Sequence, residues 1–175
     1  MGIPVGINGF GRIGRVVLRI ILERGDDFDL CGINLRKADL DYMEYMVKYD
    51  SVFHTFQGTV EHDGRDLIVN GHRIRVFSQS DAGQIPWSEC GAQYIVESTG
   101  AFNSQELASL HFQGGAKKVV ITAPAKDEMT PTFVMGVNHW NYSADMDVVS
   151  NASCTTNCLA PLTKVIQDNF GIEQA

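Results

Sequence analysis

Long apolar runs are missing from this sequence, and no stretch could span a bilayer. The opening residues, Met1-Gly2-Ile3-Pro4-Val5, lack the charged-then-apolar layout of a secretory signal, so a cytoplasmic protein is expected. Basic clusters are missing too. With 14 Lys and Arg against 21 Asp and Glu, the net charge of −7 argues against nucleic acid and membrane surfaces as partners. Cysteine is scarce: Cys31, Cys90, Cys154 and Cys158 make no paired CxxC units, so no metal site is expected. The histidines (His54, His62, His72, His111, His139) show no ligand spacing, and each reads as a surface or turn residue. Repeats and proline-rich linkers are absent. A chain of 175 residues, 44% apolar, suits one packed domain with at most a small appendage.

What is present alternates between strands and helices. Ile3 to Ile7 reads as a strand, and Arg12 to Arg24 as a helix with Ile13, Val16, Val17, Ile20 and Ile21 on its buried face. Phe28 to Ile33 is a second strand. Asp39 to Lys48 follows as an amphipathic helix, with Leu40, Met43, Met46 and Val47 inward. Gln57 to Glu61, Asp66 to Val69 and Arg73 to Phe77 are separated by Asp63-Gly64 and Asn70-Gly71, which are hairpin signals. Tyr94 to Glu97, Lys118 to Thr122, Phe133 to Gly136 and Asp147 to Ser150 read as further strands. Ser104 to Phe112 and Cys154 to Phe170 read as helices. This order predicts an α/β, Rossmann-type, doubly wound sheet, mostly parallel with an antiparallel excursion, and ligands at the carboxyl ends of its strands.

Gly9-Phe10-Gly11-Arg12-Ile13-Gly14 is a GxGxxG between a strand and a helix. The first glycine permits a tight turn, the second a close approach of pyrophosphate, and the third close packing of helix on strand. The helix start adds free N–H groups and partial positive charge. The second strand should then end in an acidic residue that holds a ribose. Asn34-Leu35-Arg36-Lys37 stands there instead. Asn34 can bond a hydroxyl, no carboxylate repels a 2′-phosphate, and Arg36 or Lys37 could attract one.

Ser150-Asn151-Ala152-Ser153-Cys154-Thr155-Thr156-Asn157-Cys158 places a cysteine in the first turn of a helix. The positive end of the dipole favours the thiolate, the nucleophile of covalent catalysis at a carbonyl. Ser153 and Thr155 could bind an anion beside it. Cys158, one turn on, reads as inward packing near Ala160 and Leu162. No histidine follows Cys154 to serve as its base.

Ile7 to Arg15 resembles the opening of phosphorylating glyceraldehyde-3-phosphate dehydrogenases. So do Lys48-Tyr49-Asp50-Ser51, Val96-Glu97-Ser98-Thr99-Gly100, Gly114 to Lys118 and Met135-Gly136-Val137-Asn138, and Ser150 to Pro161 resembles the family's active-site signature. The resemblance covers the chain in order. It implies that Cys154 adds to the aldehyde of glyceraldehyde 3-phosphate, with hydride passing to NAD and inorganic phosphate cleaving the thioester. It implies that Asn8, Gly9, Phe10, Gly11, Arg12 and Ile13 cradle the dinucleotide and that Asn34 sits by the adenosine ribose. Ser98, Thr99, Gly100 and Thr122 would line the cofactor groove, and Ser153 and Thr155 would hold phosphate or substrate.

Against the family pattern, Leu35 replaces a common aspartate, which admits NADP, and Ser80 stands where many members carry a basic residue. The expected partition is a dinucleotide-binding domain over 1–152 and the start of a substrate domain over 153–175. The family's general-base histidine and the rest of that domain would lie beyond Ala175. The chain alone is therefore expected to be inactive, and the full-length protein to be a homotetramer. Two other readings stand beside this one: a non-catalytic dinucleotide-binding module, and a sister dehydrogenase acting on erythrose 4-phosphate.

Overall fold

The computed structural model describes residues 2–174. Its first unit is β1 (Ile3–Asn8), α1 (Arg12–Glu23) and β2 (Phe28–Asn34), with β1 and β2 parallel. The pairing slips by one residue where Val5 meets Leu30 and Gly6 meets Gly32, leaving Cys31 as the extra residue of a bulge. α2 (Leu40–Lys48) follows, with the Asp39 side chain accepting from Tyr42 N–H at its start. A small hairpin, β3 (Tyr49–Asp50) with β4 (His54–Thr55), was not expected from the sequence.

β5 (Val60–His62), β6 (Asp66–Val69) and β7 (His72–Phe77) form the antiparallel excursion. Asn70 (φ +51°) and Gly71 (φ +79°) supply the left-handed pair that a tight hairpin needs. β7 then pairs parallel with β2, so the excursion is continuous with the main sheet. After α3 (Trp87–Cys90) come β8 (Tyr94–Glu97), α4 (Gln105–Ala108), β9 (Lys118–Ile121), β10 (Val148–Ser150) and α5 (Cys154–Phe170). The sheet runs β10-β9-β8-β1-β2-β7-β6-β5, with β10 through β7 parallel. The chain leaves β1 toward β2 and later returns to its other side at β8. That change of direction opens a crevice over the carboxyl ends.

Both faces of the parallel part of the sheet are covered. Val5 and Ile7 of β1 join one apolar cluster with Leu18, Ile21, Met43 and Val47. Gly6, between them, backs onto Trp87 and Ile95 of a second cluster. Alternate residues of a strand point to opposite faces, so α1 and α2 cover one face and α3 the other.

Several expectations need correction. α1 buries Gly14, Leu18 and Ile21, whereas Ile13 and Ile20 are exposed. The cause is Gly14: a Cβ there would lie 2.0 Å from the Gly9 carbonyl oxygen, so this position faces the strand and turns Ile13 and Ile20 outward. The helix expected over Ser104 to Phe112 is α-helical only to Ala108 and tightens to a 3-10 helix over Ser109–Gly114. Phe133 to Gly136 is not a strand. Thr132 bridges Ser150, but Val134 N–H then bonds the Asn138 side chain, and Val137 and Asn138 turn back onto the Val134 carbonyl. Gly136 completes that turn at φ +81°.

Candidate functional site

β1, β2 and β8 end in Asn8, Asn34 and Glu97, all buried. Asn8 Nδ2 donates to Glu97 Oε2 at 2.6 Å, and Asn34 Nδ2 donates to Asn8 Oδ1 at 2.7 Å. Asn34 also donates to the Gln79 carbonyl, while Gln79 N–H donates to Asn34 Oδ1. Over this floor lies a crevice of about 450 Å³. Of the residues expected to hold a dinucleotide, it gathers Asn8, Gly9, Phe10, Gly11, Asn34, Ser98 and Thr99. Leu35, Arg36, Gln79, Ser80 and Phe102 complete much of its wall. Arg12, Ile13, Gly100 and Thr122 do not line it. Arg12 turns away to pair with Asp50, and Thr122 Oγ1 donates to the Glu97 carbonyl. Both donor hydrogens of the Asn34 amide are engaged within the protein, so it supports the wall more than it offers free groups to a ligand.

The glycines test whether a diphosphate fits. A Cβ on Gly9 would meet the Ser98 carbonyl carbon at 2.8 Å, and one on Gly14 would strike Gly9. Gly11 differs, because no neighbouring atom lies within 4 Å of its Cβ position. That open space sits at the start of α1, where no side chain caps the helix and the first turn carries no acidic residue. Uncapped N–H groups, a positive dipole end and free space suit a diphosphate. Ser98 Oγ pins the turn at the Asn8 and Gly9 carbonyls.

α5 starts at the edge strand of the same sheet. Ser150 Oγ donates to the Ala123 carbonyl and accepts from Ala152 N–H, and Asn151 N–H donates to the Ile121 carbonyl. Ala152 is held at φ +57°, a left-handed conformation that costs a residue with a Cβ about 1–2 kcal/mol. Ser153 then caps α5 by accepting from Thr156 N–H at 2.9 Å, and Asn157 Nδ2 bonds the Asn151 and Ser153 carbonyls. This bracing presents Cys154 exposed at the first position of the helix. Among the described residues, no hydrogen bond engages its sulfur. Cys31 contrasts with it: burial, with Asp29 nearby, pushes its thiol up to about 12. Burial also raises Cys90. Thr155 lines a separate groove along α5 with Val137, Thr156 and Leu159.

Residues 3–105 match the family model described as glyceraldehyde 3-phosphate dehydrogenase, NAD binding domain. The chain belongs to the glyceraldehyde-3-phosphate dehydrogenase family. Residues 153–175 match that family's C-terminal domain. Among similar proteins, a glyceraldehyde-3-phosphate dehydrogenase of Monascus purpureus is 58% identical over 96% of this chain and 49% of its own length. Glyceraldehyde-3-phosphate dehydrogenase 2 of Mucor circinelloides is 59% identical over 96% of this chain and 49% of its own. A cytosolic glyceraldehyde-3-phosphate dehydrogenase of Gracilaria gracilis is 54% identical over 99% and 51%. The chain thus spans about half the length of the curated relatives it matches.

Within this member of the glyceraldehyde-3-phosphate dehydrogenase family, two further side chains depart from expectation. Cys158 is exposed, not packed inward, because no residue of α5 is buried. The apolar face of α5, with Leu159, Leu162, Val165 and Ile166, is exposed with it. His111 is fully buried, not a surface residue. Trp87 Nε1 donates to its Nδ1 at 3.0 Å, and its Nε2 faces Glu97 Oε2 at 3.0 Å. Glu97 and His111 are the polar residues that pattern reading missed. The signal for Glu97 was there: a carboxylate closing the apolar run Tyr94-Ile95-Val96.

Proposed function

We propose that this chain is the dinucleotide-binding half, with the nucleophile-bearing helix, of a phosphorylating aldehyde dehydrogenase that converts glyceraldehyde 3-phosphate to 1,3-bisphosphoglycerate. One observation carries the reading. An exposed cysteine opens a helix at the carboxyl edge of the parallel sheet whose neighbouring strands frame a crevice suited to a diphosphate. Residues 1–152 serve as the dinucleotide-binding domain and 153–175 open the substrate domain. The absence of any buried residue in α5 supports that boundary.

The first turn of α1, with Gly9, Phe10 and Gly11, receives the diphosphate through backbone N–H groups. Arg12 and Thr122 act behind it, through Asp50 and the Glu97 carbonyl, and Ile13 and Gly100 are proposed to border the bound dinucleotide. The nicotinamide ring, when bound, supplies the acceptor for a hydride. The Cys154 thiolate adds to the aldehyde carbon, forming a C–S bond and an alkoxide that takes a proton. Loss of the carbon-bound hydrogen with its electron pair, and of the hydroxyl proton to a base, leaves the thioester. A phosphate oxygen then attacks the thioester carbonyl and expels the Cys154 thiolate, giving the acyl phosphate. Ser153 and Thr155 hold phosphate beside that carbon. The base, worth typically about 10²- to 10⁴-fold, is assigned to the family histidine outside residues 1–175. NAD is the proposed cofactor. Leu35 and Arg36 on the crevice wall leave NADP admissible, since no carboxylate repels a 2′-phosphate there. The full-length protein is proposed to be a cytoplasmic homotetramer.

The test is an assay of the full-length protein with glyceraldehyde 3-phosphate, phosphate and NAD or NADP. Cys154→Ser should abolish turnover and leave dinucleotide affinity unchanged. Saturable binding of NAD with no aldehyde oxidation would instead favour a binding module. Preference for erythrose 4-phosphate would favour the sister dehydrogenase.

A further inference from the structure

Glu97 ends β8 with its side chain fully buried, and no lysine or arginine pairs with it among the described residues. Every group around its carboxyl is a donor. Oε2 accepts from Asn8 Nδ2 and faces His111 Nε2; Oε1 accepts from the Thr99 N–H at 2.8 Å and from the Thr99 hydroxyl. The proton positions follow from the neighbours. Indole N–H can only donate, so His111 Nδ1 is the acceptor of the Trp87 bond and the ring proton sits on Nε2, aimed at Glu97. Thr99 Oγ1 accepts from Ala101 N–H, which leaves its own proton for Glu97. With donors on both oxygens the group stands as the carboxylate.

A buried carboxylate without a cationic partner is costly, and an apolar side chain would pack this strand end at less cost. What the charge adds is direction. It draws N–H from Asn8, which turns Asn8 Oδ1 toward Asn34 Nδ2. Asn34 in turn presents Oδ1 to Gln79 N–H. Asn8, Asn34, Gln79 and Thr99 all line the crevice. The amides on the β1 side of the sheet's switch point therefore take their orientation from one carboxylate on the β8 side.

We propose that Glu97 is a positioning residue for dinucleotide binding, setting the crevice wall through Asn8 and Thr99 while touching no ligand itself. The inference rests on the reading of the crevice as a dinucleotide site. Glu97→Gln would place an amide N–H₂ against one of the two donor pairs and reverse part of the chain. In the full-length protein, NAD binding followed by titration calorimetry should weaken about tenfold or more. Trp87→Phe is the structural control. It loosens the far end of the network and lowers the melting temperature, yet keeps Glu97 on Asn8 and Thr99, so its dissociation constant should stay within about twofold of wild type.

An unchanged dissociation constant in Glu97→Gln would overturn the proposal. So would a weakening in both variants that tracks their loss of melting temperature. If Glu97→Gln does not fold, nitrogen-15 resonances of His111 in the wild type carry the test. They should report a neutral ring protonated at Nε2 that shifts on saturation with NAD. A proton on Nδ1, or no shift, would overturn it. Wild-type protein that binds no NAD would reject the dinucleotide reading as well, and so is distinguishable from failure of Glu97 alone.

Discussion

Arg12, inside the glycine-rich turn, pairs its guanidinium with the carboxylate of Asp50 on β3, 38 positions away. The other oxygen of Asp50 accepts from Val52 and Phe53 N–H groups at 2.8 and 2.9 Å. The side chain that the motif exposes is thus used to tie the turn to the β3–β4 hairpin.

That pairing predicts a pH signature. The two backbone N–H bonds, and then Arg12, pull Asp50 from its ordinary 3.8 down to about 2. A carboxyl whose folded value is depressed stabilises the fold above its unfolded value and loses that contribution as pH falls through the folded one. The difference in melting temperature between wild type and Asp50→Asn should be constant above pH 5 and shrink as pH falls from about 4 to about 2. A difference that persists unchanged at the acid end would refute the assignment.

Two glycines of one motif should respond in opposite ways. Gly14→Ala forces a methyl against the Gly9 carbonyl and should cost about 1–3 kcal/mol of stability, read by urea unfolding. Gly11→Ala has open space and an ordinary φ of −74°, so stability should stay within about 0.5 kcal/mol. Its methyl would stand where the diphosphate approaches, and NAD affinity should fall. Equal stability losses for both would contradict the assigned geometry.

Thiol labelling should separate the cysteines. Cys154 and Cys158 are exposed, whereas Cys31 and Cys90 are partly buried with raised values. At pH 8, iodoacetamide followed by mass spectrometry should modify α5 first and spare Cys31 and Cys90 until urea is added. Cys154, in the first turn, should react ahead of Cys158 because the helix dipole acts most strongly there. Labelling of Cys31 at the rate of Cys154 would be incompatible with this structure.

The bare face of α5 gives a further expectation. Leu162→Gln with Val165→Gln in the chain of 175 residues removes apolar surface that covers nothing among the described residues. The melting temperature should not change, and binding of a hydrophobic dye should fall. A clear drop in melting temperature would mean that α5 is packed after all.

Most of the fold and part of the site are legible in the sequence. The strand–turn–helix around Gly9 to Gly14, the hairpin turn at Asn70-Gly71 and the start of a helix at Cys154 depend on sterics and hydrogen bonds within a few residues, so local pattern reveals them. Fully buried strands also announce themselves, because both of their faces must be apolar. The misplaced features share a different character. The rotation of α1 turns on the contact of Gly14 with the Gly9 carbonyl, and the turn at Val134 to Asn138 outcompetes strand pairing through a side-chain acceptor.

Sequence alone therefore determined the alternation of elements, the position of the glycine turn and the placement of Cys154 at a helix start, since each is set by neighbours along the chain. Tertiary structure decided the rest. Burial of His111 required Trp87 and Glu97, 24 and 14 positions away, to converge on one imidazole. Exposure of Cys158 followed from α5 lying off the sheet with no layer over it. The physical reason is common to both: burial and hydrogen-bond partners belong to atoms distant in sequence, and no local period or propensity encodes which of them will meet.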